Sequence, residues 1–270
     1  MSSAAPSPLA SAEPWDLVAD GYVEENQSTF DAFAARALQL VPARGDVLDV
    51  AAGPGSLALQ AACTARQVEA LDFAASMLAH LQRRATEAGI SNVHTRVGDG
   101  QVLPFPDARF DAAYSMFGLI FFPDRARGLA ELVRVLRPGA KALIASWPPF
   151  TRIPAFAALF GAMKAELPGS GIGDAPPALG TAEEMHAELR AAGFAATEVH
   201  EHVVSGGVAT PEQLWRSFSR GGAPAVLMRR RMGEEGFAAF SERIVRRLLD
   251  ALGAEPKEMT FTALLGVGTR

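Results

Sequence analysis

Two aspartates and a pair of glycines hold the clearest chemistry in this sequence. Asp49 stands in the apolar run Val47, Leu48, Val50, and Gly53-Pro54-Gly55 follows within three residues. An apolar run broken by glycines predicts a buried strand and then a loop with little side chain above its backbone. The small and apolar residues from Leu57 to Ala65 predict a helix beyond it. A strand, a tight turn and a helix start together offer free backbone N–H groups and a partial positive charge to a ligand. A bulky side chain at Gly53 or Gly55 would hold that ligand away. Asp72 closes the next apolar run, Val68 to Asp72, where a carboxylate would hold ribose hydroxyls. The chemistry is that of a nucleotide-type cofactor site.

Two cofactors fit this much. Gly53, Gly55 and Ala58 satisfy the Gly-x-Gly-x-x-Ala fingerprint of a dinucleotide site, with Asp72 as its ribose carboxylate. That reading makes the chain an NAD-dependent oxidoreductase. Asp49 argues against it, because a carboxylate aimed into the cradle would repel a pyrophosphate by a few kcal/mol at intermediate dielectric. A ligand with a cationic centre and an amino group would favour that carboxylate instead. S-adenosyl-L-methionine has both.

The elements that position these residues recur in order. Val93 to Val97 predicts a third strand, closed by Gly98-Asp99-Gly100; Phe110 to Ser115 predicts a fourth, leading to Phe117 and Gly118; Arg134 to Gly139 leads into a fifth, Lys141 to Trp147. From about Phe30 to Trp147 this series resembles the class I S-adenosylmethionine-dependent methyltransferases, in particular the branch of the ubiquinone and menaquinone biosynthesis enzymes. The resemblance implies an α/β fold with a doubly wound, mostly parallel seven-stranded sheet of Rossmann-like type, an antiparallel last strand and a helical lid. It implies that Asp49, Gly53 and Gly55 face the methionine part of the cofactor and Asp72 its ribose, with Ala51 also in the cofactor-binding set. Phe73 and Met77 then pack on the adenine, Asp99 beside Gly100 accepts from its amino group, and Met116 and Phe117 stand near the transferable methyl. Tyr22 joins this set from a segment over the cofactor mouth. One position departs from the family pattern: Ala51 stands where a glycine is usual, which predicts ordinary β or α backbone there, since alanine takes a positive φ poorly.

Four stretches follow: a disordered tail at 1–13, a helical cap at 14–42 anchored by Trp15 and Tyr22, a cofactor-binding core at 43–150, and the rest of the sheet at 151–270. Thr181-Ala182-Glu183-Glu184 predicts a capped helix ending at Gly193. Thr197 to Val204 and Glu258 to Val267 alternate as an antiparallel strand pair. Between them an excursion at about 205–256 is longer than a connection needs, and Gly206-Gly207, Gly221-Gly222 and Gly233 could hinge it as a mobile lid. Phe150, Ile153, Phe156, Leu159, Phe160 and Met163 have two readings: a satellite core with the excursion, and the wall of a cavity for an apolar substrate.

Composition narrows the partners. The chain has 270 residues and a net charge of −5, so a nucleic-acid substrate is not expected. The arginines at 229–231, 243, 246 and 247 read as a solvated face paired with Glu234, Glu235 and Glu242. Cys63 is the only cysteine, expected as a buried thiol, and fits a reducing, cytoplasmic setting. No apolar run approaches the length of a membrane span, and no metal set or signal segment is evident. His80 and His94 read as structural, His186 as solvated, and His200 and His202 as pointing away from the cofactor, so no catalytic base is named. The expectation is methyl transfer to a small, apolar metabolite at oxygen, nitrogen or carbon. The alternative is an S-adenosylmethionine-binding protein with a non-methylating role, as a cyclase or a regulatory subunit.

Overall fold

The computed structural model describes residues 7–170, 172 and 177–270; the first six residues of the expected tail lie outside them. Helix α1 spans Glu13–Leu40, followed by β1 Asp46–Val50, α2 Ala58–Ala61, β2 Gln67–Asp72, α3 Ala75–Glu87 and β3 Val93–Val97. Then come β4 Phe110–Met116, α4 Arg125–Val135, β5 Leu136–Ser146, α5 Pro154–Glu166 and α6 Ala182–Ala192. The chain closes with β6 Ala196–Ala209, α7 Pro211–Gly221, α8 Ala223–Leu252 and β7 Lys257–Thr269.

The seven strands form one sheet in the order β3-β2-β1-β4-β5-β7-β6. The first five run parallel, and β7 is antiparallel to both β5 and β6. The expected α/β sheet and its reversed last strand are both present. β1 is fully buried along its length because helices cover both faces. Phe33, Ala37, Ala58 and Leu81 of α1, α2 and α3 pack on one face, and Leu129, Leu132, Met185 and Leu189 of α4 and α6 on the other. A third cluster, with Leu159, Trp215, Phe240 and Ile244, joins α5, α7 and α8. The strand order reverses between β1 and β4, and in such sheets the crevice beyond the strands' carboxyl ends at that point takes the ligand.

Several elements differ from expectation. The helix expected over Leu57 to Ala65 is one turn, Ala58–Ala61. Thr64 Oγ1 donates to the Ala43 carbonyl at 2.8 Å and Asn92 Nδ2 to the Ala62 carbonyl at 2.9 Å, and these contacts turn the chain toward β2. Cys63 therefore leaves the apolar face and is exposed, not buried. In the tail, Pro8–Ala10 is a 3-10 turn, and Trp15 Nε1 donates to the Leu9 carbonyl at 3.0 Å. Thr181 caps α6 through the Glu184 N–H at 3.1 Å, while Glu184 reaches back to the Gly180 N–H and not to that of Thr181. The excursion opens with a continuation of β6, so its helical part is Pro211–Leu252, and α8 kinks at Gly233, where φ is 73°.

Candidate cofactor and acceptor site

The loop after β1 is built from backbone with positive φ at three residues, Ala51, Gly53 and Gly55. Ala51 has φ 58° and Gly53 has φ 53°. The ordinary backbone expected at Ala51 is thus not what forms; an L residue pays about 1–2 kcal/mol to hold such a φ, and the surrounding contacts over-determine it. Asp72, at the end of β2, fixes the loop: its Oδ2 accepts the Gly53 N–H at 2.8 Å and its Oδ1 the Ala74 N–H at 2.8 Å. A Cβ at Gly53 would meet nothing within 4 Å, so the open space above that backbone is available to a ligand. Gly55 differs. Its φ is 91° and its Cβ position lies 2.7 Å from Leu81 Cγ, so it is glycine both for the turn and for packing on α3, and it does not face the cavity.

Asp49 is completely buried, and no donor meets hydrogen-bond geometry at either carboxylate oxygen, the Ala58 N–H lying near but outside it. Burial, then the charge of nearby Asp72, pushes its carboxyl up to about 8, with the Ala58 N–H pulling weakly the other way. Asp72 is raised to about 6, mainly by burial and against the N–H groups that hold it. A buried, unpartnered carboxyl is costly, and it is relieved by a positive group brought close. Tyr22 is driven well above its usual range by burial and by Asp72 and Asp31, so its hydroxyl stays protonated.

Above this pair lies a cavity of about 620 Å³, within the roughly 300–1,000 Å³ of small-molecule sites. Of the residues expected at the cofactor, Tyr22, Ala51, Gly53, Asp72, Phe73, Met77, Asp99, Gly100, Met116 and Phe117 line it; Asp49 and Gly55 do not. Asp99 also accepts the Gln101 N–H at 2.8 Å, serving the turn and the wall together. Gly100 leaves room for Phe122, whose ring carbon would be 2.5 Å from a Cβ there. Met77 and Phe73 pack with Val18 and Ala19 of α1, so they are core and wall at once.

The cavity has two ends of different character. The carboxylates Asp72 and Asp99 stand beyond β2 and β3, whereas Trp147, Phe150, Phe156, Phe160, Phe218 and Phe261 line the end beyond β5 and β7. In the Phe150–Met163 stretch, Phe150, Phe156, Leu159 and Phe160 line the cavity, and Leu159 and Met163 belong to the α5–α7–α8 cluster. Asn26, Thr29, Phe30 and Trp147 were not foreseen as site residues. The first three share a helical spacing with Trp15 and Tyr22, a signal present in the sequence.

None of the five histidines lines the cavity. His80 is buried against Asp20, at 2.8 Å, and His202 lies against the Phe33 ring, at 6.2 Å. His186, expected in solvent, is half-buried and meets Thr197 Oγ1 at 2.8 Å. Of the expected arginine partners Glu234 is present, 4.0 Å from Arg229, but Arg230 pairs with Glu13, and Arg243 and Arg247 share Glu166. Among the described residues no helix is long and apolar enough to cross a membrane, and no group of acidic, cysteine and histidine side chains is placed to hold a metal ion.

With this geometry in view, comparison with known proteins is specific over the core. A family model described as a methyltransferase domain matches residues 47–139. A demethylmenaquinone methyltransferase of Deinococcus radiodurans is 42% identical over 134 residues, 49% of this chain and 52% of that protein. The chain spans about half the length of the curated relatives it matches. The YcgJ protein of Bacillus subtilis superposes with a TM-score of 0.60 at 20% identity, covering 87% of this chain and 98% of its own. The [4+2]-cyclase SpnF does so with 0.59 at 20% identity, covering 98% of each.

Proposed function

We infer, from the premise that residues 47–139 form a domain of the class I S-adenosylmethionine-dependent methyltransferases in the ubiquinone and menaquinone branch, that this chain transfers a methyl group from S-adenosyl-L-methionine to a small, largely apolar acceptor. The observation that carries this reading is Asp49, a buried carboxyl with no partner below an open glycine cradle. The site fits a cation, which favours the ionised form of Asp49. S-adenosylmethionine, when bound, supplies an electrophilic methyl on a sulfonium that is already a good leaving group.

The chain's own residues then have modest work. Asp72 lines the cavity where ribose hydroxyls would lie, Phe73 and Met77 give an apolar wall for the adenine, and Asp99 serves its amino group. Asp49 acts from beneath the loop as a counter-charge. Met116 and Phe117 close the acceptor side, and the aromatic end excludes water and aligns the acceptor, which is most of what an in-line transfer asks. The relatives named for a quinone precursor and the aromatic lining support a quinone- or phenol-like ring as acceptor. The acidic net charge supports a small molecule over a nucleic acid, and the single cysteine supports a cytoplasmic setting.

Calorimetric titration with S-adenosylmethionine and with NAD tests the cofactor: binding of the first alone is expected, and tight NAD binding overturns the reading. A cell extract supplied with methyl-labelled cofactor then tests the acceptor. Label is expected in a small apolar product; label in RNA or DNA only, or turnover of an acceptor with no methyl gained, overturns it.

A further inference from the structure

The loops that follow β1 and β4 meet at a single point. Ala51 and Phe117, one in each loop, are both left-handed, with φ 58° and 61°. For a bulky residue such as phenylalanine this is an outlier that only its surroundings can hold. Next to Phe117, Gly118 has φ −85° and ψ −44°, a backbone that any residue adopts. It is glycine for another reason: a Cβ there would overlap the Cβ of Ala51 and stand 3.3 Å from Ser115 Oγ. The methyl missing at Gly118 is the one present at Ala51.

This contact joins the two ends of the cavity. Two residues beyond Ala51, the Gly53 N–H is held by Asp72. One residue before Gly118, the Phe117 N–H donates to the Ala145 carbonyl of β5 at 3.1 Å. The Phe117 ring lies 4.2 Å from that of Trp147 at 25°, with Phe30 and Phe33 edge-on at 5.3 Å. We propose that the Ala51 methyl, seated in the gap at Gly118, is a positioning contact that sets the Phe117–Trp147 face against the cofactor loop. Its functional part rests on the cavity being an S-adenosylmethionine site; the contact itself does not.

The test is reciprocal substitution. Ala51→Gly, Gly118→Ala and the double variant are labelled with 5-fluorotryptophan, and the Trp147 line, one of three, is identified with Trp147→Phe. Binding of S-adenosylhomocysteine is measured by calorimetry on the same samples. Gly118→Ala places two methyls in one space, so the Trp147 line shifts and affinity falls roughly tenfold or more. In the double variant the methyl has only changed sides, so the line returns and affinity recovers to within about threefold. A Trp147 line in Gly118→Ala that coincides with wild type, or a double variant as perturbed as the single one, overturns the proposal. If Gly118→Ala does not fold, recovery of folding on adding Ala51→Gly supports the contact and its absence overturns it. If no protein binds S-adenosylhomocysteine but the Trp147 line obeys the reciprocity, the cofactor reading falls and the contact stands.

Discussion

Burial holds the Asp49 carboxyl at about 8, so in the free protein at neutral pH it is mostly protonated, while a cationic ligand favours its ionised form. Binding of S-adenosylmethionine therefore releases a proton, and affinity should rise with pH until about 8. Calorimetry in buffers of different ionisation enthalpy checks this; no proton release at pH 7 counts against it. The same shift bears on stability. A folded-state value raised from about 4 leaves the fold unpenalised below that pH and costs it up to about 5 kcal/mol as pH rises through 8. Asp49→Asn should therefore raise the melting temperature of the free protein at pH 8.5, leave it nearly unchanged at pH 4, and abolish cofactor binding. Asp72→Ala should weaken binding about ten- to a hundredfold, the loss of roughly 1.5–3 kcal/mol from hydrogen bonds to a charged group. Unchanged affinity in that variant would remove Asp72 from the site.

At the scale of elements, α1 and α7 close over the cavity together. Asn26 Nδ2 donates to the Gly221 carbonyl at 3.0 Å, Ser217 Oγ to Glu25 at 2.8 Å, and Arg220 pairs with Glu24 and Glu25. The Arg220–Glu24 pair is exposed and the Asn26 and Ser217 contacts are polar and part-buried, and we propose that Pro211–Leu252 moves as a lid. Hydrogen exchange should show that segment more protected with S-adenosylhomocysteine bound; equal protection in both states would make it fixed scaffold. The strands were legible because buried parallel strands are continuous apolar runs, as in Val47 to Val50. The α2 turn was not, because its end is set by Thr64 and Asn92 reaching distant carbonyls. The left-handed Ala51 was unreadable for a similar reason: its partner, Gly118, stands 67 positions on. The carboxylate end of the cavity follows strand ends and could be read in order. The aromatic end draws rings from α1, the segment after β5, α5, α7 and β7, which only the fold brings together.

Across the whole molecule, charge is distributed in a way that separates the two ends of the cavity. The protein is acidic overall, and the cavity's charged side chains among the described residues, Asp72 and Asp99, both stand at the end beyond β2 and β3. The two clusters of arginines lie on α8 and engage Glu13, Glu166 and Glu234, away from the aromatic wall. An acceptor that enters between rings of Trp147, Phe156 and Phe261 meets no ionic partner, so screening has nothing to weaken. Its kcat/KM should stay flat between 50 and 200 mM salt, where a nucleic-acid substrate held by several phosphates would lose about 10³–10⁵ in affinity. Measured with the acceptor recovered from the labelled-cofactor screen, a steep negative dependence on salt would show that basic side chains hold the substrate, and the arginines of α8 would then become its contact surface in place of the aromatic wall.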